Sequence, residues 1–406
     1  MFYKNLNFKE SKSNNKKNLN YDLVIIANTS KYLLHYRLLL IKKLNIYFSN
    51  VFVLAPFDRS SDKLKENTKY IPWNLSNEID FNPFFLINSF FSLFKEIKSI
   101  RPKIVHSHTI KPNLLISLVN SILGIKTVIS IPGMGRLSNT KGIKKLLLKF
   151  ILKTIYLLSI YQVNNFILIK KNLKRVKFIF QNPIDLEFFK NLIDIKNINN
   201  LFYLIPGSGV PIQYFKSVKK KSAIKNDNLD FIYCARLEKS KGINLFIKLS
   251  KYYPKSKFYI YGPLEKLSSD SLNFNEINNF EKTFKNIVFM NYVDNPLLRH
   301  HNDHSIFLVP SNYGEGLPRG ILEAMALEIP VIASEKSCVG LFDNDNLFMV
   351  SENNINSYLK TIKKVKNKIE EGSLDVFLRN SKRLVKEEYQ ESIVVDKTLN
   401  LYKSFN

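Results

Sequence analysis

Short apolar runs alternate with longer amphipathic stretches along most of the 406-residue chain. In the first half, buried-type strands are predicted at Tyr21–Asn28, Val51–Pro56, Pro102–His108 and Lys126–Gly133. Helical patterns separate these strands, one over Leu33–Leu44 and one that ends at Leu123. This alternation is typical of a parallel sheet that is covered by helices on both faces.

The same pattern restarts near Leu229, after a polar, lysine-rich stretch at 211–228 that we interpret as a linker. Strands are predicted at Leu229–Leu237, Lys257–Pro263, Ile287–Val293, Ser305–Ser311 and Pro330–Ser334, with a helix over Ile243–Tyr252 after the first of them. The length suits two domains rather than one core. We therefore expect a polar disordered tail at 1–20, Rossmann-like domains at 21–210 and 229–386, and a last helical segment at 387–406.

Composition narrows the partners without selecting one. Lysine and arginine exceed aspartate and glutamate by 27, which favours an acidic partner: nucleic acid, anionic lipid or a phosphorylated substrate. The first twenty residues contain no apolar run like a signal peptide, so a cytoplasmic protein is expected. Cys234 and Cys338 are the two cysteines, too few for a disulfide framework or a zinc motif, and we expect both to be buried.

The segment Pro310–Ser334, "PSNYGEGLPRGILEAMALEIPVIAS", is the most informative. It predicts a strand, a glycine-containing loop, a helix that has Pro318 at its first position and ends near Glu328, and a second strand. Loops at the carboxyl ends of parallel strands bind ligands, and the free N–H groups of a helix start attract phosphate. The segment thus predicts an anion-binding loop.

Two carboxylates belong to this unit, Glu315 in the loop and Glu323 in the helix. A carboxylate near a helix start can accept hydrogen bonds from the two vicinal hydroxyls of a ribose, and a carboxylate in the loop can accept them from hydroxyls of a transferred sugar. The alternative is that Glu315 caps the helix and Glu323 is an ordinary solvated helix residue.

The segment closely resembles the signature of glycosyltransferase family 4, through its Glu-Gly-x-Pro loop, second glutamate, Ala-Met-Ala and Pro-Val-Ile strand. The resemblance implies an α/β protein of the GT-B fold, with two Rossmann-like domains that face each other across a cleft. It implies that Glu315 contacts the donor sugar and that Glu323 binds the ribose. Gly316, Leu317 and Pro318 would bind the donor nucleotide together with Glu323.

A second match is "CARLEKSKGINLFI", Cys234–Ile247, which resembles the Gly-Arg-Leu…Lys-Gly element of the family. The resemblance implies that Arg236 and Lys241 hold the donor diphosphate, where fixed cations would stabilise the charge of the leaving group. Ala235 replaces the usual glycine. The alternative for both cations is a place on the ordinary charged surface.

The first half carries a narrower resemblance, to N,N′-diacetylbacillosaminyl-diphospho-undecaprenol N-acetylgalactosaminyltransferases and related capsule and O-antigen enzymes. It rests on "TSKYLLHYRLLLI", "HSHTIKPNLLISLVNSILGIK", "IPGMGRL", "FQNPIDLEFF" and "IPGSGVPIQYF", in this order. The amino-terminal domain would accordingly bind the acceptor and the carboxy-terminal domain the nucleotide-sugar. The last helix, about Glu387–Tyr402, would cross back to the amino-terminal domain.

The resemblance implies retaining transfer of a hexose or N-acetylhexosamine from a UDP-sugar, such as UDP-GalNAc, to an undecaprenyl-diphosphate-linked saccharide at the inner membrane face. No cofactor and no metal are expected. His108 is a candidate for a donor-sugar contact, with a purely structural hydrogen bond as the alternative. The segment "EKSCVGLFDNDNLFMV" lacks the family's arginine and glycines, so the donor is less well defined than the reaction class.

Competing functions find less support. A GT-B-shaped UDP-sugar epimerase or hydrolase would not need the family 4 segment, and a basic nucleic-acid-binding protein would show an RNA-binding motif. No Gly-x-Gly-x-x-Gly follows the first strand, which argues against a dinucleotide oxidoreductase. We interpret His300, His301 and His304 as solvated surface residues and Asp343 and Asp345 as a loop pair without metal.

A basic helical stretch at Lys141–Tyr161 suggests contact with a membrane. Lys141, Lys145, Lys149 and Lys153 recur every four residues, and they flank an apolar surface formed by Leu147, Leu148, Ile151, Leu152, Ile155 and Leu158. The internal lysines disfavour a membrane span, so we expect a helix that lies in the interface of an anionic membrane. The alternative is a core helix with one solvated lysine stripe.

Overall fold

The computed structural model describes residues 21–75, 83–133, 142–164, 167–171, 173–193, 200–212, 229–264, 268–290, 293, 295–300, 304–312, 316–340, 342 and 344–405. The chain forms two compact units, Met1–Thr127 and Val128–Asn406. The expected tail at 1–20 and most of the expected linker at 211–228 lie outside the described residues. The predicted domain bounds therefore stay predictions.

Strands and helices alternate in the first unit as the sequence predicts. The strands are β1 (Leu23–Ile26), β2 (Val51–Ala55), β3 (Lys69–Pro72) and β4 (Ile104–His108). The helices are α1 (Ser30–Tyr36), α2 (Leu38–Tyr47), α3 (Ser61–Lys65), α4 (Pro83–Ile100) and α5 (Ile110–Leu123). The side chains of β1 and β4 are buried throughout, as expected for central strands of a parallel sheet.

One predicted helix proved to be two. Arg37 interrupts the expected Leu33–Leu44 helix with a non-helical backbone, φ −132° and ψ 0°, and separates α1 from α2. Its side chain is buried and donates a hydrogen bond from Nη2 to the Tyr32 hydroxyl at 3.0 Å. The apolar pattern continues across the break, which is why the sequence predicted one helix.

The second unit contains the remaining described strands and helices. Its strands are β5 (Lys126–Ile131), β6 (Tyr161–Asn164), β7 (Ile167–Lys171), β8 (Val176–Phe180), β9 (Phe202–Leu204), β10 (Asp230–Cys234), β11 (Phe258–Tyr261), β12 (Ile287–Met290), β13 (Ser305–Val309), β14 (Val331–Ser334) and β15 (Phe348–Val350). Its helices are α6 (Ile143–Ile160), α7 (Pro183–Ile193), α8 (Ile243–Leu249), α9 (Phe274–Thr283), α10 (Arg319–Ala326), α11 (Glu335–Cys338), α12 (Ile355–Glu370), α13 (Leu374–Leu384) and α14 (Glu391–Lys403).

Both large sheets have the strand order of a Rossmann fold. The amino-terminal sheet has the order β3-β2-β1-β4-β5-β8-β9, and the carboxy-terminal sheet β12-β11-β10-β13-β14-β15. The strands of the second sheet pair in parallel, for example Ile232 with Tyr259 on one side and with Phe307 on the other. The strand order reverses once in each sheet, between β1 and β4 in the amino-terminal sheet and between β10 and β13 in the carboxy-terminal sheet. These switch points are where open α/β sheets bind ligands.

The carboxy-terminal sheet is covered by helices on both faces. One apolar core contains residues of α8, α12 and α13, and another contains residues of α10. Helix α14 is preceded by a π-helical turn at Val385–Tyr389. At its end, Lys177 of β8 donates hydrogen bonds to the Leu401 carbonyl and the Ser404 hydroxyl, and its ammonium lies 4.6 Å from the ring centroid of Phe405.

Candidate active site

Two predicted groups of residues lie at the switch point of the carboxy-terminal sheet. Arg236 and Lys241 follow β10, and Gly316–Pro318 follow β13, its neighbour in the sheet. Gly242 allows the two connections to meet, because a Cβ at this residue would lie 1.8 Å from the Pro310 carbonyl oxygen. The Asn312 N–H also donates to the Ser240 carbonyl at 2.9 Å. The loop after β13 is thus held against the loop after β10.

Arg236 is positioned by a buried carboxylate that the sequence analysis did not single out. Its Nη1 lies 3.0 Å from Oε1 of Glu238, whose side chain is fully buried, and Ser268 donates to the same oxygen at 3.2 Å. About a third of the Arg236 side chain remains exposed. The guanidinium is therefore fixed by Glu238 on its buried side, while part of the side chain is accessible to solvent. A carboxylate two residues after a functional arginine is the signal that would have identified Glu238.

Lys241 is buried, in a short 3-10 turn at Lys239–Lys241. Its N–H bonds to the Glu238 carbonyl at 3.0 Å. The backbone is also closely packed at Ala235, where the family usually has glycine. The close approach is made possible by Gly262, because a Cβ on Gly262 would lie 1.7 Å from the Ala235 carbonyl oxygen.

Glu323 lies on α10 and faces the end of β10. Burial, and then the charge of Glu323, raise the pKa of the Cys234 thiol to about 12, which makes this cysteine a poor nucleophile. The Glu323 carboxylate accepts a hydrogen bond from Nε of Arg319 at 2.8 Å, and both side chains are largely buried. Arg319 was not predicted; its spacing of four residues from Glu323 on a helix is the signal.

The loop Gly316–Pro318 is packed against other residues of the same unit. A Cβ on Gly316 would lie 1.7 Å from the Pro132 carbonyl oxygen, and the Gly316 carbonyl accepts a hydrogen bond from Asn182 at 2.9 Å. A Cβ on Gly207 would lie 2.4 Å from Cδ2 of Leu317. Three motifs of the amino-terminal resemblance, those around Pro132, Asn182 and Gly207, therefore meet at this loop.

Two details of this segment differ from the prediction, and one lies outside the structure. Pro318 is the N-cap of α10, with φ −76° and ψ 90°, and Arg319 is the first helical residue. The helix ends at Ala326 because Glu328 adopts the left-handed conformation, φ 57°, and the Ile329 N–H turns back to the Ala324 carbonyl. Glu315 lies outside the described residues.

His108 lies at the switch point of the amino-terminal sheet, as the last residue of β4. Its ring is fully buried between His106 and Tyr32, at centroid distances of 4.1 Å and 5.6 Å, and neither ring nitrogen has a hydrogen-bond partner among the described residues. Burial, then the neighbouring His106 and Arg37, hold the pKa of His108 well below its usual value. The imidazole is therefore neutral at pH 7 and keeps one donor and one acceptor for another group.

Backbone strain marks the residue after His108. Thr109 has φ 73°, which is unusual for a β-branched residue, and as the N-cap of α5 its hydroxyl does not bond the helix. Such strain is found most often at functional sites. Among the residues that the structure describes, no hydrogen bond to the His108 ring is present, and its role stays a prediction.

The predicted apolar surface of the basic helix proved to be mostly core. In α6, Leu148, Ile151, Leu152 and Ile155 are buried, because this face packs on other elements of its own unit, among them α7. The outward face carries a different apolar set, namely Ile143, Leu146, Leu147, Phe150 and Leu157. Lys145 and Lys153 are exposed and Lys149 is half-buried. The helix is thus apolar on two faces, and none of the described helices has the length and hydropathy needed to cross a bilayer.

The histidines after β12 are not one solvated group. His300 is buried, and its Nε2 lies 2.8 Å from the Tyr261 hydroxyl, so the prediction of a surface residue was wrong here. The 3-10 turn at Pro296–Arg299 directs the ring inward against Tyr259 and Tyr261. His301 and Asp343 lie outside the described residues. Within the described part of the chain, no three histidine, cysteine, aspartate or glutamate side chains are grouped as metal ligands.

Two family profiles match the chain in succession. The profile described as "Glycosyl transferase 4-like" matches residues 23–182, and the one described as "Glycosyl transferases group 1" matches residues 215–375. Together they span most of the chain.

Two relatives have names that state a reaction. An N,N'-diacetylbacillosaminyl-diphospho-undecaprenol alpha-1,3-N-acetylgalactosaminyltransferase of Campylobacter jejuni is 26% identical over 387 residues, 91% of this chain and 94% of that protein. A UDP-Gal:alpha-D-GlcNAc-diphosphoundecaprenol alpha-1,3-galactosyltransferase of Escherichia coli is 24% identical over 332 residues, 78% of this chain and 79% of that protein.

Solved structures share the fold. A glycosyltransferase from Rickettsia africae superposes with a TM-score of 0.73 at 16% identity, covering 95% of this chain and 99% of that chain. HepE from Anabaena in complex with UDP superposes with a TM-score of 0.71 at 13% identity, covering 94% and 100%. The predicted α/β class and GT-B fold with two Rossmann-like sheets are confirmed. The chain therefore belongs to glycosyltransferase family 4 and is an enzyme that transfers sugars.

Proposed function

We propose that this enzyme transfers a hexose or N-acetylhexosamine from a UDP-sugar to a saccharide linked to a lipid diphosphate, with retention of the α-configuration and without a metal. The observation that carries the proposal is the pairing of cations and a carboxylate at one switch point. Arg236, Lys241 and Glu323 surround the ends of β10 and β13, where a nucleoside diphosphate is bound in Rossmann-type sheets. The names of the two relatives supply the lipid-linked acceptor.

In this proposal the cations act on the leaving group. As the bond between the sugar C1 and the diphosphate oxygen breaks, negative charge grows on the diphosphate. Arg236 and Lys241 stabilise that charge, and Glu238 keeps the guanidinium of Arg236 in place without a change of geometry during the reaction. Because the two cations neutralise the diphosphate, no divalent metal is required.

The two carboxylates, Glu323 and Glu315, bind different parts of the donor. Glu323 accepts hydrogen bonds from the ribose hydroxyls, with its other interaction to Arg319 fixing the carboxylate plane. Glu315 is the counterpart for hydroxyls of the transferred sugar. The acceptor hydroxyl attacks C1 from the face that the diphosphate leaves, its proton passes to a diphosphate oxygen, and the products are UDP and an α-glycoside. No protein nucleophile takes part.

His108 is proposed to contact the donor sugar. A neutral imidazole with both nitrogens unpaired is suited to one hydroxyl that donates and one that accepts. The pKa of His108 is lowered, first by burial, so the ring stays neutral. A neutral ring is not drawn electrostatically to the diphosphate.

Contact with the inner membrane face is assigned to the outward face of α6. Ile143, Leu146 and Phe150 supply apolar area, and Lys145 and Lys153 supply positive charge beside it. Replacing Lys145, Lys149 and Lys153 by glutamate is expected to weaken binding of the purified protein to anionic vesicles in co-sedimentation. Unchanged binding would exclude α6 as the anchor.

A donor panel tests the proposed reaction. The purified enzyme is incubated with UDP-GalNAc, UDP-Gal, UDP-GlcNAc and UDP-Glc, with and without an undecaprenyl-diphosphate-linked saccharide, and the glycolipid products are analysed by mass spectrometry. We expect one donor to give a product one sugar larger, together with stoichiometric UDP. Release of UDP without a larger product in the presence of acceptor would indicate a hydrolase and contradict the proposal.

A further inference from the structure

Helix α4 is attached to the first unit by one narrow stripe. Ser89, Leu93 and Ile97, four residues apart, are buried. The Trp73 indole N–H donates to the Ser89 carbonyl at 3.1 Å, and the Ser89 hydroxyl donates to the Asn74 carbonyl at 2.7 Å. These contacts fix which side of the helix faces the protein.

The opposite side carries large apolar residues in the first half of the helix. Phe84, Ile87 and Phe91 follow one another at helical spacing and are 79%, 52% and 63% exposed, and Phe85 beside them is 54% exposed. Phe91 lies two residues from Leu93, roughly 200° around the helix, so this row is the one farthest from the core. A contiguous exposed patch of this kind marks an interaction surface.

The same outward row becomes basic in the second half of the helix. Lys95 and Lys98 continue it at helical spacing, and both are exposed. From Phe84 to Lys98 the helix rises about 21 Å, at 1.5 Å per residue. One face therefore changes from phenylalanine to lysine along its length.

This gradient selects the partner. A bilayer surface offers acyl chains below and anionic phosphates above, so an obliquely placed helix meets both with one face. A second copy of α4 packed antiparallel would instead set the lysines of each helix against the phenylalanines of the other.

We propose that α4 inserts its amino-terminal half into the acyl–headgroup boundary of an anionic membrane, with Lys95 and Lys98 at the level of the lipid phosphates. The inference deepens the proposed function, on which it rests, because a lipid-linked acceptor is presented in a bilayer. It assigns membrane contact to a helix of the first unit whose apolar face the sequence analysis did not identify.

The apolar half is tested by vesicle binding of the full chain. The variant Phe84→Ser/Phe91→Ser is compared with Phe57→Ser/Phe274→Ser, which removes two phenylalanines that are 62% and 64% exposed elsewhere. On vesicles of phosphatidylcholine and phosphatidylglycerol we expect the α4 variant to bind at least about tenfold more weakly, from the loss of two inserted rings, and the control to bind like the wild type. Equal binding of both variants would overturn the proposal.

The basic half is tested by charge removal. Lys95→Gln/Lys98→Gln is expected to lose roughly fivefold per lysine on the anionic vesicles and nothing on vesicles of phosphatidylcholine alone. Lys360→Gln/Lys363→Gln, a pair with the same spacing exposed on α12, is the control. A loss that is equal on both kinds of vesicle, or equal in the control, would contradict the assignment of these lysines to lipid phosphates.

Insertion is read directly by a fluorophore. In Phe91→Cys an environment-sensitive label reacts selectively, because burial raises the pKa of the native thiols Cys234 and Cys338 to about 12. We expect a blue shift of the emission when anionic vesicles are added, and no shift would overturn the proposal. If Phe84→Ser/Phe91→Ser instead converts a dimer to a monomer in sedimentation without weakening vesicle binding, the row is a contact between copies.

Activity separates this inference from the proposed function. With a short-chain, water-soluble acceptor the α4 variants are expected to retain the wild-type turnover, while transfer to acceptor embedded in vesicles falls with binding. If the wild type transfers sugar to neither acceptor, the proposed function fails, but the vesicle and fluorescence results still decide the role of α4.

Discussion

The two switch points of this enzyme have opposite electrostatic character. At β10 and β13, cations and carboxylates are paired: Arg236 with Glu238, and Glu323 with Arg319. At β4, the buried residue is a histidine whose ring nitrogens are unpaired and whose neighbours, His106 and Arg37, lower its pKa. One site is built to balance charge, and the other to stay neutral.

The difference shows that the same sheet topology can carry either charged or neutral groups at its switch point. In the proposed reaction, the diphosphate leaving group needs fixed charges whose geometry is set beforehand, and the ion pair with Glu238 would provide that for Arg236. A sugar hydroxyl needs a donor and an acceptor that do not attract the diphosphate. The predictions below are ordered by the size of the effect that each is expected to produce.

The largest effect is expected at the charged switch point. Arg236→Ala and Lys241→Ala should each lower turnover by roughly a hundredfold or more, because each removes a preorganised charge beside the leaving group. Steady-state transfer assays measure this. Lys239→Ala, in the same turn but exposed, is the matched control and should change turnover little. Near-normal turnover of Arg236→Ala and Lys241→Ala would contradict the assignment of these two cations to the diphosphate.

The two carboxylates should separate binding from transfer. Glu315→Ala is expected to slow turnover more than it weakens UDP affinity, because it loses a hydrogen bond to the sugar that is worth about 1.5–3 kcal/mol. Turnover and UDP affinity are compared for the same variant. A larger loss of UDP affinity than of turnover would assign Glu315 to the nucleotide instead.

At the neutral switch point, stability should depend on pH. The folded-state pKa values of His106 and His108 are depressed, so unfolding takes up protons and stability is lost as the pH falls below about 6.5, at most about 1.4 kcal/mol per pH unit for each histidine. Urea unfolding at pH 7.5 and 5.5 measures this. His106→Gln should flatten the dependence, with His35→Gln as a control for loss of a histidine. If the pH dependence of the unfolding free energy is unchanged in His106→Gln, then His106 does not contribute to it, and the prediction is contradicted.

The smallest expected effect is that of metal removal. Activity should survive EDTA, because Arg236 and Lys241 take the place of a divalent cation at the diphosphate. Transfer is measured before and after dialysis against the chelator. A loss that Mg²⁺ or Mn²⁺ restores would show that the cations do not suffice.

The sequence predicted the parts of the molecule that follow local rules. Strands β1, β2, β4, β5 and β10 to β14 carry apolar runs of the right length, and the loop at Gly316 carries the family signature, so these could be located, whereas β3 and β15 were missed. What could not be predicted depends on tertiary contacts. The break at Arg37 has no local breaker residue and arises because its side chain turns inward to Tyr32.

Helices that are apolar on two sides were the hardest to interpret. In α6 the period of apolar residues does not tell which side packs on the protein, and the predicted membrane face proved to be buried. In α4 the outward phenylalanines are indistinguishable from core residues in the sequence. His300 was predicted to be solvated because polar residues surround it, and only its contact with Tyr261 places it inside.

The central claim is that the switch point of β10 and β13 binds the nucleotide, and the affinity of Glu323→Ala for UDP tests it most directly. Isothermal titration calorimetry compares the wild type, Glu323→Ala and Glu328→Ala, a control two residues past the end of α10 whose carboxylate lies 3.7 Å from Lys382. We predict a Kd at least about tenfold higher for Glu323→Ala, from the loss of a charged hydrogen bond, and an unchanged Kd for the control. An unchanged Kd in Glu323→Ala would contradict the assignment of the ribose to this carboxylate.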